Sequence, residues 1–291
     1  MDLTASNGYF VNMSFGITYE KFKSSESGTI PKVNIKHNIS DDLMVYGTYS
    51  EGFRPSGVNR LRPSDPAPKT YDADYLESLE LGFKSTIGDG KLVMNGAFYS
   101  MDWKDYQTTT YDLSLVAVAF VDNVGNAEIS GVELNMVYAI DDTTSLTYYY
   151  NGVDSKLSED YYQNNVLYAT SGNRLSSMPE TSAYISLDKD YTLAGRSAYM
   201  NLDYSYTGDR YNSYENGAIL LPSYGLANFR TGVDFNNTSL EFYINNLLDK
   251  DAYLSRYNDF EGVGSSGYAG FGIRRTGSKP RVVGIRFRYR Y

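Results

Sequence analysis

The final nine residues alternate strictly. Val283, Ile285, Phe287, Tyr289 and Tyr291 hold one set of positions, and Arg286, Arg288 and Arg290 hold the other. A helix would scatter both sets around its circumference. An extended strand sends successive side chains to opposite faces, so this segment has one apolar face and one cationic face. The same period recurs along the chain. Tyr9, Val11, Met13, Phe15, Ile17 and Tyr19 oppose Asn12, Ser14, Gly16 and Thr18; Leu79, Leu81, Phe83 and Ile87 oppose Ser78, Glu80, Gly82, Lys84 and Thr86. Val132 to Tyr138, Met200 to Tyr206, Phe229 to Phe235 and Leu240 to Ile244 read the same way, whereas Lys91 to Trp103 does not divide into two clean faces. The pattern predicts about 12 strands. They fall near 9–19, 32–39, 43–50, 75–87, 91–103, 126–139, 144–153, 181–188, 196–207, 223–235, 238–247 and 280–291. Several exceed the roughly 5–6 residues usual in globular proteins and match the roughly 9–11 that cross a bilayer at a tilt.

The connections alternate in length. Polar turns rich in Gly, Asp and Asn stand at 40–42, 88–90, 141–143, 190–195 and 236–238; long connections cover about 20–28, 51–74, 104–125, 154–180, 208–222 and 248–279. A transmembrane β-barrel has this asymmetry, with short periplasmic turns on one rim and long extracellular loops on the other. A soluble sandwich or propeller would explain the alternation, but not the strand length, the alternating connections or the arginines of the last strand. The predicted fold class is therefore all-β, an antiparallel transmembrane barrel.

Composition narrows the function. A net charge of −9 disfavours nucleic acid as a partner. The chain has no cysteine and one histidine, His37, which excludes thiolate and multi-histidine metal sites. The longest apolar run, Leu115 to Val121, is far short of the ~20 residues of a membrane helix. No Ser/His/Asp constellation, phosphate loop or persuasive carboxylate pair is present, so neither an enzyme nor a cofactor is expected. The paired aspartates Asp41-Asp42 and Asp141-Asp142 lack the oxygen spacing of a calcium site and read as turns. The N-terminus has neither the basic start nor the apolar core of an export signal, so the chain is expected to lack its natural beginning.

If the apolar face meets lipid, the charged face lines the lumen. It carries Glu80, Lys84, Glu133, Asp203, Arg230, Asp234, Arg286, Arg288 and Arg290. Such charge density requires a hydrated or protein-filled bore. These strands either close alone as a small porin-like channel or form part of a larger barrel, because lipid tolerates no open edge. Alternation does not decide between the two.

Local motifs bear on that choice. Tyr46 to Asn59 (YGTYSEGFRPSGVN), Tyr75 to Ser85 (YLESLELGFKS), Asn95 to Gln107 (NGAFYSMDWKDYQ), Asn123 to Leu134 (NVGNAEISGVEL), Asn245 to Tyr253 (NNLLDKDAY) and Pro280 to Ile285 (PRVVGI) occur in order over most of the chain. Together they resemble the C-terminal portion of the barrel of TonB-dependent receptors. The resemblance implies that residues 1–291 are a partial barrel in the Gram-negative outer membrane, the C-terminal half of one with about 22 strands. It implies outer-membrane lipid, a plug domain, the TonB complex and a small nutrient ligand as partners. The nutrient would be a siderophore or other iron chelate, haem, cobalamin or an oligosaccharide. The family's plug and TonB box do not occur in this chain.

The loops hold the candidate ligand contacts. Arg54, Asn59, Arg60 and Arg62 suit an anionic chelate, or a loop held by its own hydrogen bonds and by Pro55, Pro63, Pro66 and Pro68. Trp103, Tyr106 and Tyr111 suit stacking on a ligand, or an aromatic girdle at the membrane surface. Tyr161, Tyr162, Tyr168, Arg210, Tyr211 and Tyr214 form similar clusters. Arg286, Arg288 and Arg290 either steer anions or face a plug, or else pair with carboxylates on neighbouring strands.

Overall fold

The computed structural model describes residues 2–4, 8–9, 21–22, 25–27, 29–59, 61, 67–112, 118–258 and 273–290. Eleven long strands form one antiparallel sheet, each paired with its neighbours in the chain. They are β1 Lys32–Ser40, β2 Leu43–Arg54, β3 Asp74–Ile87, β4 Leu92–Lys104, β5 Ala127–Asp141, β6 Thr144–Leu157, β7 Thr181–Leu193, β8 Arg196–Thr207, β9 Tyr224–Phe235, β10 Thr238–Asn245 and β11 Val282–Tyr289. β1 and β11 are the two edges and do not pair with each other, so the barrel is not closed among the described residues. The strand expected at 9–19 lies, apart from Tyr9, outside the described residues.

Register shows why alternation was so regular. Leu92, Tyr138, Leu146, Leu187, Leu202, Phe229, Ile244 and Val283 are successive cross-strand partners from β4 to β11. Direct partners share a face, so one apolar surface runs unbroken across eight strands. Many of its large side chains are open, including Leu81 at 55 % and Ile285 at 71 %. Such a surface is sustained by lipid rather than by water. Its upper margin is a row of carboxylates on the same face, Glu51, Glu77, Asp102 and Glu128. The sheet curls toward the other face, because Tyr46 of β2 and Ser205 of β8 line one concavity of about 560 Å³.

Several strands outlast their expected ends. β2 runs to Arg54 and β6 to Leu157, because the ladder continues toward the long loops, and β7 runs to Leu193 at its short-turn end, where it pairs with Arg196. The turn expected over 190–195 contracts to Ala194 and Gly195, both in the left-handed region at φ 49° and 75°. One expectation needs correction: the lumen face is not polar throughout. On β4, β5 and β6 its upper part consists of Tyr99, Met101, Trp103, Ala127, Ile129, Val153 and Leu157. These side chains form a hydrophobic core with loop residues Tyr106, Val124, Tyr161, Tyr168, Ala169, Leu175, Met178 and Tyr214. That core is why Lys91 to Trp103 showed no clean faces: near the loops the lumen face of β4 turns apolar at Tyr99, Met101 and Trp103, while its outer face ends in Ser100 and Asp102.

Candidate ligand-facing loops and lumen wall

The long connections lie on one rim, and five of them each hold a short two-stranded ribbon. Asp74, at the start of β3, organises the first of them. Its side chain is 2 % exposed and pairs with the Arg54 guanidinium. It also accepts bonds from the Arg54 amide (3.1 Å), the Trp103 indole nitrogen (2.9 Å) and the Gln107 amide (3.1 Å). Arg54 donates further to the Gln107 carbonyl (2.6 Å) and lies 5.0 Å over Trp103 and 5.9 Å over Tyr106. Trp103 and Tyr106 meet edge to face at 4.7 Å. Asn59 is buried and bridges two loops, donating to the Pro68 and Val121 carbonyls and accepting from the Val121 amide. Arg54, Asn59, Trp103 and Tyr106 are thus all engaged in holding loops together. Arg60 and Arg62 lie outside the described residues.

A second assembly joins the β4–β5, β6–β7 and β8–β9 connections. Tyr161 donates to Asp122 at 2.6 Å. Burial pushes the Asp122 carboxyl above its ordinary range, against the opposing pull of Tyr161 and the Asn123 amide, and burial also pushes the Tyr161, Tyr168 and Tyr214 phenols up. Arg174 bonds to Asp209 (3.0 Å), pairs with Glu180 (3.4 Å) and lies 5.5 Å over Tyr211. Arg210 is buried, donates to the Tyr253 and Leu254 carbonyls, and lies 5.4 Å over Tyr224. Exposed aromatic surface remains on Tyr111 and Tyr162. Sequence reasoning passed over Asp74, Asp122 and Arg174. Arg54, Tyr161 and Asp209, with which they bond, stand 20 to 39 positions away in the chain, and only the fold brings them together.

The concave wall carries the charged residues singled out in the sequence. Asp203 bonds to Asn228 (2.7 Å) and Arg230 (3.4 Å). Glu241 receives Arg286 (2.6 Å) and the Tyr199 hydroxyl (2.5 Å). Glu80 lies against the Tyr46 hydroxyl. Lys84 and Glu133 share this face, as do Arg288 and Arg290 beside Arg286 on the edge strand. The carboxylate pairing expected for the terminal arginines holds at Arg286. Among the described residues, no group of three His, Cys, Asp or Glu is placed to hold a metal.

Comparison with known proteins agrees with this geometry. Residues 4–247 match the family described as TonB dependent receptor-like, beta-barrel. The pesticin receptor of Yersinia enterocolitica is 25 % identical over 131 residues, 45 % of this chain and 18 % of that protein. The metal-pseudopaline receptor CntO of Pseudomonas aeruginosa is 21 % identical over 239 residues, 81 % of this chain and 32 % of that protein. Among solved structures, the ferric yersiniabactin uptake receptor FyuA of Yersinia pestis superposes with a TM-score of 0.75 at 19 % identity, covering 94 % of this chain and 39 % of that one. The siderophore receptor PiuA of Acinetobacter baumannii gives 0.70 at 17 % identity, covering 96 % and 38 %. The chain therefore spans well under half the length of these relatives, which are transport receptors rather than enzymes. Its sheet of eleven strands with two open edges among the described residues, its lipid-compatible outer face and this family match make the chain a barrel segment of the TonB-dependent receptors of the Gram-negative outer membrane.

Proposed function

We propose that the protein containing this chain takes up a metal chelate of the siderophore class across the outer membrane, driven by TonB. The observation that carries this reading is the shared core of three extracellular loops with the upper wall of β4–β6. A passive pore has no need of loops fixed to its wall. A receptor gains from them, because a preformed capture surface pays little ordering entropy when ligand binds. Relatives named for metal-pseudopaline and ferric yersiniabactin support the ligand class. In this reading residues 1–291 are a partial barrel domain. The strand expected over 9–19 and further strands from the rest of the protein complete the barrel beyond β1 and β11, a plug fills the bore, and TonB acts on the plug. The barrel supplies the loop surface, with exposed Tyr111 and Tyr162 and the Arg174–Tyr211 pair as candidate contacts, and the lumen wall.

The test is uptake of ⁵⁵Fe by cells lacking their own iron receptors and expressing the full-length protein. TonB-dependent accumulation from at least one ferric chelate is expected. Uptake that persists without TonB, or ion conductance from the purified receptor without ligand, would instead establish a passive channel.

A further inference from the structure

Resting on that uptake reading, we propose that Arg210 is an anion site closed by the ribbon of the β10–β11 connection, and that a carboxylate or phenolate group of the chelate opens it. The long connections are not joined to one another equally. β2–β3 and β4–β5 share the Asn59–Val121, Gln107–Asp72 and Asn123–Asp72 bonds. β4–β5 and β6–β7 share Tyr161–Asp122 and Asn126–Glu159, and β6–β7 and β8–β9 share Arg174–Asp209 and Asn173–Asn216. Between β8–β9 and β10–β11, the hydrogen bonds among the described residues come from one side chain. Arg210 donates to the carbonyls of Tyr253 (3.1 Å) and Leu254 (2.6 Å), at the start of the ribbon formed by Tyr253–Asn258 and Ile273–Gly277.

Arg210 is 6 % exposed and forms no ion pair with a described carboxylate. Its Nη1 is buried without a hydrogen-bond partner, and the guanidinium lies 5.4 Å over the Tyr224 ring. The adjacent carboxylate, Asp209, is held by Arg174. Two neutral carbonyls and a ring replace only part of the hydration that a buried guanidinium loses. A pair of anionic oxygens takes two parallel charge-assisted bonds from the same fork, about twice as strong as neutral ones. The ribbon adds positive charge. Arg256 and Arg275 are direct cross-strand partners, a like-charge pairing that is unfavourable in itself. An anion reaches Arg210 only when the ribbon lifts, so it binds the lifted state and shifts the balance toward it. The ligand so selected is a chelate with free carboxylate or phenolate oxygens and a net negative charge.

The test uses the full-length receptor, with any cysteine outside this cysteine-free segment replaced. Spin labels at Leu220→Cys and Thr276→Cys, both exposed positions, span the joint. Labels at Thr70→Cys and Val166→Cys, also exposed, span connections that are bonded together. Both distances are measured by double electron–electron resonance with citrate, with salicylate, and with chloride at equal ionic strength. Either organic anion should shift the first distance by several ångströms and leave the second unchanged, and chloride should move neither. In Arg210→Met the shift should be lost. No shift with either anion, an equal shift in chloride, a shift that survives in Arg210→Met, or movement of the second pair would each overturn the proposal. Should Arg210→Met fail to assemble, Arg210→Lys decides. It keeps the charge but not the paired donors, so the shift should shrink several-fold, and a full shift would overturn the site. If the anion shift is present but the receptor imports iron from no chelate, the uptake reading fails alone. If ⁵⁵Fe uptake is TonB-dependent and the shift is absent, the anion site fails alone.

Discussion

Above β2 and β3 one buried carboxylate ties together Arg54, Trp103 and Gln107, from three separate stretches of chain. Replacing Asp74 with Ala leaves a guanidinium, an indole N–H and a backbone N–H without their acceptor. Because Arg54 is half exposed, the cost should be about 2–3 kcal/mol, below that of a fully buried pair. Trp103 is the single tryptophan of the 291 residues, so its fluorescence reports this corner. Asp74→Ala should shift the emission to the red, with other tryptophans of the full-length protein replaced, and an unshifted spectrum would show that the clamp is dispensable. Arg54 and Trp103 stood out in the sequence by residue type. Asp74 did not, since nothing local distinguishes it from a turn aspartate, and it acquires its role only across the Arg54 register. Asp122 makes a second residue-scale case. Its folded pKa is raised by burial. It therefore binds a proton more tightly folded than unfolded, and its contribution is most favourable below the ordinary carboxylate pKa and declines as pH rises through the folded value. Hydrogen exchange of the 161–169 ribbon, corrected for intrinsic rates, should lose protection on going from about pH 4 to pH 7. In Asp122→Asn that slope should flatten.

Four of the five loop-joined hairpins share a device that alternation alone does not reveal. Tyr46 stands opposite Gly82, Tyr99 opposite Gly131, Tyr199 opposite Gly232 and Tyr243 opposite Gly284. In each pair the ring lies over the glycine on the lumen face, where a Cβ would collide with it. The ring covers the bare backbone and pins register, which matters because a slip of one residue would turn every apolar side chain into the bore. Gly284→Ala, in the last hairpin, should cost about 1–3 kcal/mol by overpacking. Gly284→Ala/Tyr243→Ala should cost less than the sum of the two single changes, since the clash is gone. Denaturant titration of the four proteins measures the coupling, and additive costs would mean that the ring does not sit where it is drawn. At this scale the strands were legible wherever one face met lipid and the other met water. The ends of β2 and β6 were not, because there the ladder continues among the long loops, where the lumen face also packs on apolar side chains, and the two-residue signal fades as its cause disappears.

Across the whole molecule one opposition recurs: an apolar surface facing out and a polar surface facing in, at equal depth. Leu81 and Lys84 show it within a single strand. Leu81 is 55 % exposed on the outer face, and Lys84 points to the concave side. If the outer medium is hydrocarbon, a charge at position 81 must be desolvated or must drag water and headgroups inward, at about 2–4 kcal/mol near the midplane. If it were water, the same charge would cost almost nothing and would even relieve an exposed apolar patch. The neighbouring inward position is the control. Glu80→Arg sacrifices the contact with Tyr46 but leaves the new charge in a bore that already holds Lys84 and Glu133. Both variants are placed in the full-length protein, and folded receptor is followed in outer-membrane fractions by its slower migration after boiling. Leu81→Arg should sharply reduce the folded band, and Glu80→Arg should leave it near the level of the unaltered protein. Equal yields from the two would mean that both faces meet the same solvent. In that case a lipid-facing barrel could not stand.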